Sequence, residues 1–253
     1  MAEERKNRKT RAVRACLVQF DAIPEQVERN ADQIELFCRK AAASEARWVI
    51  FHEATVSDCT AKAEELAEAV PEGRVTRRMA GLAEQLGCYI SFGLCEKQNR
   101  RLYITQVFVG PNSFFYRYRK TWLWYSPEDI GYRNEWARYD PGTGPELFEI
   151  GGSRATCFIC ADGEAPRCIA RAAALSPEVG FYPNNRKKLP PIEVFGERAK
   201  AIRATIMLVT NRVGKSWMHD TQGGCAVFGA DGIPLAMANH DGKEEMIFYD
   251  LDL

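Results

Sequence analysis

Glu53, Lys120 and Cys160 each stand where a strand-like run gives way to a turn. Residues 48–51 (WVIF) lead into His52 and Glu53, residues 114–119 into Lys120, and residues 155–159 into Cys160 and then Ala-Asp-Gly. In layered α/β proteins the side chains that do chemistry gather at such strand exits. A carboxylate, an ammonium and a thiol drawn to one pocket edge form a coherent set. A thiol is a strong nucleophile only as its thiolate, and a neighbouring base can remove the proton. Glu53 is the candidate base, in a role typically worth about 10²–10⁴ in rate. Attack on an amide or nitrile carbon develops negative charge on oxygen or nitrogen. Lys120, with a backbone N–H near Ala161, would stabilise that charge. Taken singly, each residue also has a plainer reading: a capping glutamate, a solvated lysine, a buried core thiol.

The elements that would position these residues alternate along the chain. Residues 15–20 (ACLVQF) and 48–51 read as strands. Between them, residues 25–42 carry Val27, Ala31, Ile34, Cys38 and Ala41 at helical spacing. A second helix is expected over 76–86, where Met79, Leu82 and Leu86 share a face before Gly87. Residues 88–96, 102–109 and 114–119 then form three strand-like runs of a meander. Further on, 155–160 reads as a strand and 166–175 as a helix with Pro166 in its first turn. A strand at 179–182, a helix at 194–204 and a strand at 205–211 follow. The chain closes with a hairpin, 225–228 and 234–238, and a strand at 246–251. Strands mixed with helices throughout imply an α/β fold with helices covering sheet faces. Residues 1–11 (MAEERKNRKTR) read as a polar tail, and 12–253 as a single domain with no linker or repeat.

Composition narrows the partners. The 34 Lys+Arg are balanced by 34 Asp+Glu, which leaves no surplus positive charge for nucleic acid or an anionic membrane. No apolar run approaches the roughly 18 residues of a spanning helix. Nine cysteines in irregular spacing, with no signal segment, suggest a reduced cytoplasmic protein whose thiols are mostly core fillers. Cys157 and Cys160 are formally CxxC, but they lie in an apolar strand whose alternation sends the two thiols to opposite faces. A zinc site needs four convergent thiols or imidazoles, and no spacing here offers one. Neither His52, His219 nor His240 has the context of a cysteine-protease base. Gly151-Gly152 and Gly223-Gly224 read as turns rather than phosphate cradles.

Three segments carry a more specific signal: FHEATVSDC around Glu53, YRKTWLW around Lys120 and CFICADGEAP around Cys160. In this order the sequence resembles the nitrilase superfamily of carbon–nitrogen hydrolases, closest in motif to the aliphatic amidase-like branch. The likeness runs from Val13 to Leu253 and includes ACLVQF, TNRVG at 210–214 and GADGIPLA before YDLDL. It implies a four-layer α-β-β-α sandwich and a Glu53–Lys120–Cys160 triad. In the aliphatic amidase branch a second glutamate lies eight residues after the lysine, which here is Glu128. The implied activity is cleavage of a non-peptide C–N bond in a small carboxamide to acid and ammonia, through a thioester on Cys160. No metal or organic cofactor is implied, and family members commonly form dimers or higher homo-oligomers.

The same triad would serve an N-carbamoyl amine or amino acid amidohydrolase, a nitrilase or an acyltransferase. Outside enzymes, a catalytically silent binding or scaffold protein is the alternative, and four intact functional positions count against it. The pattern has departures. His52 stands where the family usually has Pro, Gly224-Cys225 where it has a glycine-serine step, and Glu164 where many members carry Arg. That last change lowers the expectation of a carboxylate-bearing carbamoyl substrate. Trp124 and Tyr125, within a cluster shared with Trp122 and Tyr132, are candidate pocket contacts, although such a cluster serves equally as core or subunit interface. Ala161, Glu164 and Asn184 complete the candidate substrate contacts. Arg186, Lys187 and Lys188 read as a solvated loop, with capture of an anionic substrate as the alternative.

Overall fold

Ten parallel or antiparallel strand pairings build two six-stranded sheets that share one design. The structure, a computed structural model, describes residues 12–125, 127, 134–186, 191–216, 220–239 and 241–253. The first half runs β1 (Ala12–Gln19), α1 (Val27–Ala43), β2 (Trp48–Ile50), α2 (Ala63–Leu66), α3 (Arg74–Leu86), β3 (Tyr89–Gln98), β4 (Arg101–Gly110) and β5 (Ser113–Arg119). The second half runs β6 (Phe148–Ile150), β7 (Ser153–Cys157), α4 (Pro166–Ala174), β8 (Val179–Pro183), α5 (Ile192–Ile202) and β9 (Ile206–Thr210). It ends with β10 (Val213–Lys215), β11 (Asp220–Gln222), β12 (Ala226–Gly229), β13 (Pro234–Met237) and β14 (Glu245–Asp252).

The first sheet has the order β14-β1-β2-β3-β4-β5 and the second β13-β12-β9-β8-β7-β6. In each, three parallel strands form the centre: β1, β2 and β3 in one, β7, β8 and β9 in the other. Antiparallel strands flank both centres. Between the sheets lies an apolar layer built from Ala15, Leu17, Trp48, Ile50 and Phe108 of the first and Ala155, Cys157, Phe181, Leu208 and Val227 of the second. Outside the first sheet, Ile34, Phe37 and Cys38 of α1 and Met79 and Leu82 of α3 cover Val18, Val49, Ile90 and Phe92. Outside the second, Ala172 of α4 and Phe195, Ala199 and Ile202 of α5 cover Phe158, Met207 and Val209. The result is the four-layer α-β-β-α sandwich. Burying both faces of a sheet makes its central strands continuously apolar, as IMLVT in β9 shows.

Most expected elements form, with shifted ends. Helix α1 starts two residues later than the periodicity indicates, at Val27, because Glu25 takes a left-handed φ of 66°. Strand β7 stops at Cys157 rather than at residue 160, since the chain must turn sharply at Cys160. Helix α5 spans Ile192–Ile202, displaced toward the N-terminus from residues 194–204. The short elements α2, β6, β10 and β11 have no counterpart in the pattern: three or four residues cannot establish a period. Among the described residues, no helix is long and apolar enough to cross a membrane.

Candidate active site

The parallel strands β2, β7, β8 and β9 all point their carboxyl ends at one region, where open α/β sheets commonly bind ligands. Two hydrogen bonds from opposite sheets meet there on the carbonyl of Phe51: Gln106 Nε2 donates from β4 at 3.2 Å and Thr210 Oγ1 from β9 at 3.1 Å. Glu53 follows within a tight turn that passes β3 at Gly93. A Cβ at Gly93 would stand 2.2 Å from the backbone nitrogen of Ala54, so only glycine lets this turn lie against the strand. Asn30 of α1 closes the loop from behind, its Nδ2 donating to Ile23 O at 2.8 Å and Val56 O at 2.9 Å.

Lys120 is reached from the end of β5, its backbone N–H donating to Ile104 O at 2.8 Å. Its Nζ lies between two carboxylates, 2.8 Å from Glu53 Oε1 and 2.8 Å from Glu135 Oε1. All three side chains are sequestered, with 1% exposure for Lys120, 2% for Glu53 and 11% for Glu135. Burial by itself would push the Lys120 ammonium toward deprotonation. The charges of Glu135, Glu53 and Cys160 outweigh it and hold the lysine well above its usual range. Glu135 is raised, first by burial and then by the charge of Glu53, with Lys120 opposing both. Its other oxygen accepts the Trp124 N–H at 2.6 Å.

Cys160 opens a 3-10 turn, Cys160–Glu164, and has a φ of 46°. A non-glycine residue in this left-handed region is strained, and such strain concentrates at functional sites. Asp162 anchors the turn. Its Oδ1 accepts the N–H groups of Thr121 at 3.0 Å and Trp122 at 2.6 Å, immediately after Lys120. Its Oδ2 accepts the Ile159 N–H and the Tyr118 hydroxyl, both at 2.8 Å. One buried carboxylate thus ties the thiol-bearing turn of the second sheet to the lysine-bearing strand of the first. Burial raises the Cys160 thiol to about 11; Arg186 and Lys120 oppose the rise, while Glu53 and Glu135 add to it. At neutral pH the sulfur therefore rests as a thiol, which only a base could convert to a thiolate.

Among the expected site residues, Glu53, Lys120 and Cys160 converge in this region. Glu128, Tyr132, Lys187, Lys188, His219 and His240 lie outside the described residues. Trp124 and Tyr125 are exposed, at 40% and 55%, at the outer end of the lysine segment. Ala161 is buried in the turn that follows Cys160. Glu164 gives its Oε1 to Arg186 Nη1 at 2.5 Å and lies 3.8 Å from Arg198. Asn184 is fully buried, and both its polar atoms are engaged: Nδ2 donates to Tyr182 O at 2.7 Å and Oδ1 accepts from Arg186 Nε at 2.9 Å. Arg186, read from the sequence as a solvated loop residue, instead folds inward with 13% side-chain exposure. The inward turn follows from its partners, because Glu164, Asn184 and the Cys160 carbonyl together occupy its whole planar fork.

Glu135 and Cys59 belong to the site without having been singled out. Counting a fixed offset from the lysine leads to Glu128, but the loop length between strand and glutamate is free to vary. The usable signal was the run NEWARYDPG, a second glutamate ahead of a Pro-Gly return to the sheet. The Cys59 thiol lies within electrostatic range of Glu53, Glu135 and Lys120 on the Glu53 loop. Among the described residues, no three His, Cys, Asp or Glu side chains are grouped so as to hold a metal ion.

The sequence is 26% identical over 255 residues to a protein of Pyrococcus abyssi named nitrilase, covering 95% of this chain and 90% of that one. Among solved structures, a mutant amidase of the nitrilase superfamily from Nesterenkonia AN1 shares the fold with a TM-score of 0.83 at 20% identity, over 97% of this chain and 92% of that one. A CN-hydrolase superfamily protein from Xanthomonas campestris, solved with an arsenic adduct in its active site, gives 0.82 at 18% identity over 94% and 90%. The carbon–nitrogen hydrolase family model matches residues 14–253, nearly the entire chain, and the protein belongs to that family.

Proposed function

We propose that the protein is an amidase that hydrolyses a small linear carboxamide to its acid and ammonia through a thioester on Cys160. The observation that carries this reading is the buried clasp, one ammonium held between two carboxylates beside a protonated thiol. Glu53, Glu135 and Lys120 together bear one surplus negative charge, so the cluster can accept a proton without becoming cationic.

In the reaction, Cys160 Sγ attacks the amide carbon and Glu53 takes the thiol proton. The Lys120 ammonium and the Ala161 N–H face the oxyanion, a type of contact worth about 10²–10³ in turnover. Glu53 then gives its proton to the departing nitrogen, the C–N bond breaks and ammonia leaves the thioester behind. Water attacks the thioester, its proton passing to Glu53 and onward to the sulfur as the acid is released. Glu135 keeps Lys120 charged and fixes its Nζ. Trp124 and Tyr125 wall the approach on the Lys120 side, and a small uncharged substrate suits a site whose ionic groups are already paired.

The test is ammonia release across a panel of primary amides, N-carbamoyl compounds and nitriles. Small primary amides should turn over fastest, with an acyl mass on Cys160 when turnover is quenched, and Cys160→Ala should be inactive. Faster turnover of carbamoyl compounds or nitriles would move the substrate class. Equal ammonia release by wild type and Cys160→Ala would overturn the mechanism.

A further inference from the structure

We infer that Arg186 is a positioning residue for the nucleophile: its guanidinium, together with the Tyr182 hydroxyl, grips the carbonyl oxygen of Cys160 and holds the left-handed turn that presents the thiol. The inference rests on Cys160 as the nucleophile. Arg186 Nη2 donates to Cys160 O at 2.7 Å, and Tyr182 Oη donates to the same oxygen at 2.7 Å. These two bonds fall on the residue whose φ is 46°, where local backbone preference opposes the observed geometry. Two donors on one carbonyl fix the peptide plane after Cys160. That plane sets the direction of both the thiol and the next N–H.

The grip is itself built from neighbours that leave little freedom. Arg186 Nε is held by Asn184 Oδ1 at 2.9 Å and Nη1 by Glu164 Oε1 at 2.5 Å. Tyr182 is stacked on Phe158 at 4.5 Å between ring centroids and receives further donors from Arg186 at 3.1 Å and Arg198 at 3.4 Å. Gly163 makes the approach possible, because a Cβ there would stand 2.2 Å from the Tyr182 hydroxyl oxygen. The Gly of the Cys-Ala-Asp-Gly run is thereby explained by a contact rather than by turn conformation. Glu164 and Asn184 act here on Arg186, and neither needs to touch substrate.

The same geometry places a fixed cation within electrostatic reach of the Cys160 thiol. Around Cys160 the ionisable groups are Arg186 from the β8 exit, Lys120 from the β5 exit, Glu53 from the β2 exit, Glu135 from its own turn, and Tyr182 within β8, whose buried phenol stays neutral. When the thiol proton moves to Glu53, negative charge shifts from the carboxylate clasp to the sulfur, toward Arg186.

The test uses alkylation of Cys160 by iodoacetamide, which needs no substrate, with peptide mapping to assign the modified thiol and Cys160→Ala as the blank. Rates are measured between pH 7 and 10 for wild type, Arg186→Gln, Arg186→Lys and Tyr182→Phe, alongside kcat and KM on whichever substrate turns over. In Arg186→Gln the alkylation rate should fall about tenfold at each pH, as one unit of thiol pKa requires, and kcat should fall with KM within about twofold. Arg186→Lys should keep the alkylation profile but lose at least about fivefold in kcat, since an ammonium cannot span three acceptors in a plane. Tyr182→Phe should lower kcat and leave the profile in place. An unchanged alkylation profile with unchanged kcat in Arg186→Gln overturns the inference. If that variant does not fold, wild-type kcat in Arg186→Lys overturns it instead. Failure of Cys160 to alkylate in the wild type would strike the nucleophile assignment itself, which the mapping separates from the role of Arg186.

Discussion

The first sheet delivers Glu53 and Lys120 to the site, and the turn at Glu135 completes their clasp. The second sheet delivers Cys160 and Arg186. Both sheets use strand exits, yet they hold their residues by different physics. On the first side, charges fix one another: Lys120 is pinned by carboxylates 2.8 Å away on either flank. On the second, hydrogen bonds fix a strained backbone: Asp162 takes four donors and the Cys160 carbonyl takes two. The division suits the chemistry. A base and an oxyanion donor need a stable charge in a dry site, whereas a nucleophile needs an exposed direction and a displaceable proton. Perturbing the two sides should therefore leave different signatures.

The largest effect is expected on the charge side. Lys120→Met removes the only cation in the clasp, leaving Glu53 and Glu135 buried together. Turnover should fall by about 10²–10³, and stability at neutral pH by about 3–5 kcal/mol, the usual cost of breaking a buried pair. The loss should depend on pH with a defined sign. Burial and Glu53 already raise the Glu135 carboxyl, and Lys120 opposes them. Without the lysine, the Glu135 carboxyl binds its proton still more tightly in the folded chain than in the unfolded one. Its stabilising protonation is complete at low pH and lost as pH rises. Thermal melts of the variant should approach those of wild type near pH 5 and diverge toward pH 8. A pH-independent difference would mean that the clasp is not held by charge.

Glu135 offers a narrower cut on the same side. Glu135→Gln keeps the shape and the Trp124 contact but removes one of the two charges on Lys120. A fall in kcat of about 10² is expected. The same measurement on Glu128→Gln decides between the two glutamates, and the larger loss in kcat marks the one that serves Lys120.

This pair also shows what was legible in the sequence and what was not. Strand exits carrying Glu53, Lys120 and Cys160 could be read because an apolar run followed by a polar residue is a local pattern. The layered α/β arrangement followed for the same reason, from the 3.6-residue period in α1 and the continuous apolar runs in β8 and β9. Glu135 could not be reached by counting, because its distance along the chain from Lys120 depends on a loop whose length carries no periodic constraint. Arg186 was misread for a related reason. A basic residue followed by two lysines has the composition of a solvated loop, and only the folded carbonyl of Cys160 and the carboxylate of Glu164 turn it inward. Edge strands of three residues, such as β6, give too few positions for a pattern to form.

On the backbone side, Asp162→Asn should separate anchoring from charge. The amide group would set a donor where the carboxylate now accepts from Ile159, Tyr118, Thr121 and Trp122. At least one buried N–H or hydroxyl loses its acceptor, which costs about 1–3 kcal/mol. Turnover should fall by about tenfold, one unit of activation free energy near 1.4 kcal/mol, through a displaced Cys160 turn rather than altered proton transfer. The pH dependence of kcat should therefore keep its wild-type shape, in contrast to Glu135→Gln. A changed shape would show that Asp162 acts on the ionisation of the site.

His52 gives the smallest effect on turnover and a specific effect on stability. It sits directly before Glu53, fully buried, with Nδ1 2.8 Å from the Glu53 carbonyl oxygen. Burial, reinforced by the charge of Arg212, lowers its imidazole to about 3 from an ordinary value of 6.5. Between those two values the unfolded chain binds a proton that the folded chain refuses. Stability must then fall as pH drops below about 6.5, by up to about 1.4 kcal/mol for each pH unit. Replacing the imidazole with a side chain that cannot ionise removes this slope. In His52→Gln the acid-side decline of the melting temperature between pH 6.5 and 4 should flatten relative to wild type, while kcat at pH 8 changes by less than about threefold, within a 0.65 kcal/mol change in barrier. An equal acid-side decline in both proteins would show that the buried histidine is not the group that limits stability there. It would leave carboxylates that ion pairs hold below their usual range, such as Glu35 beside Arg78 and Arg39, as the groups that set the slope.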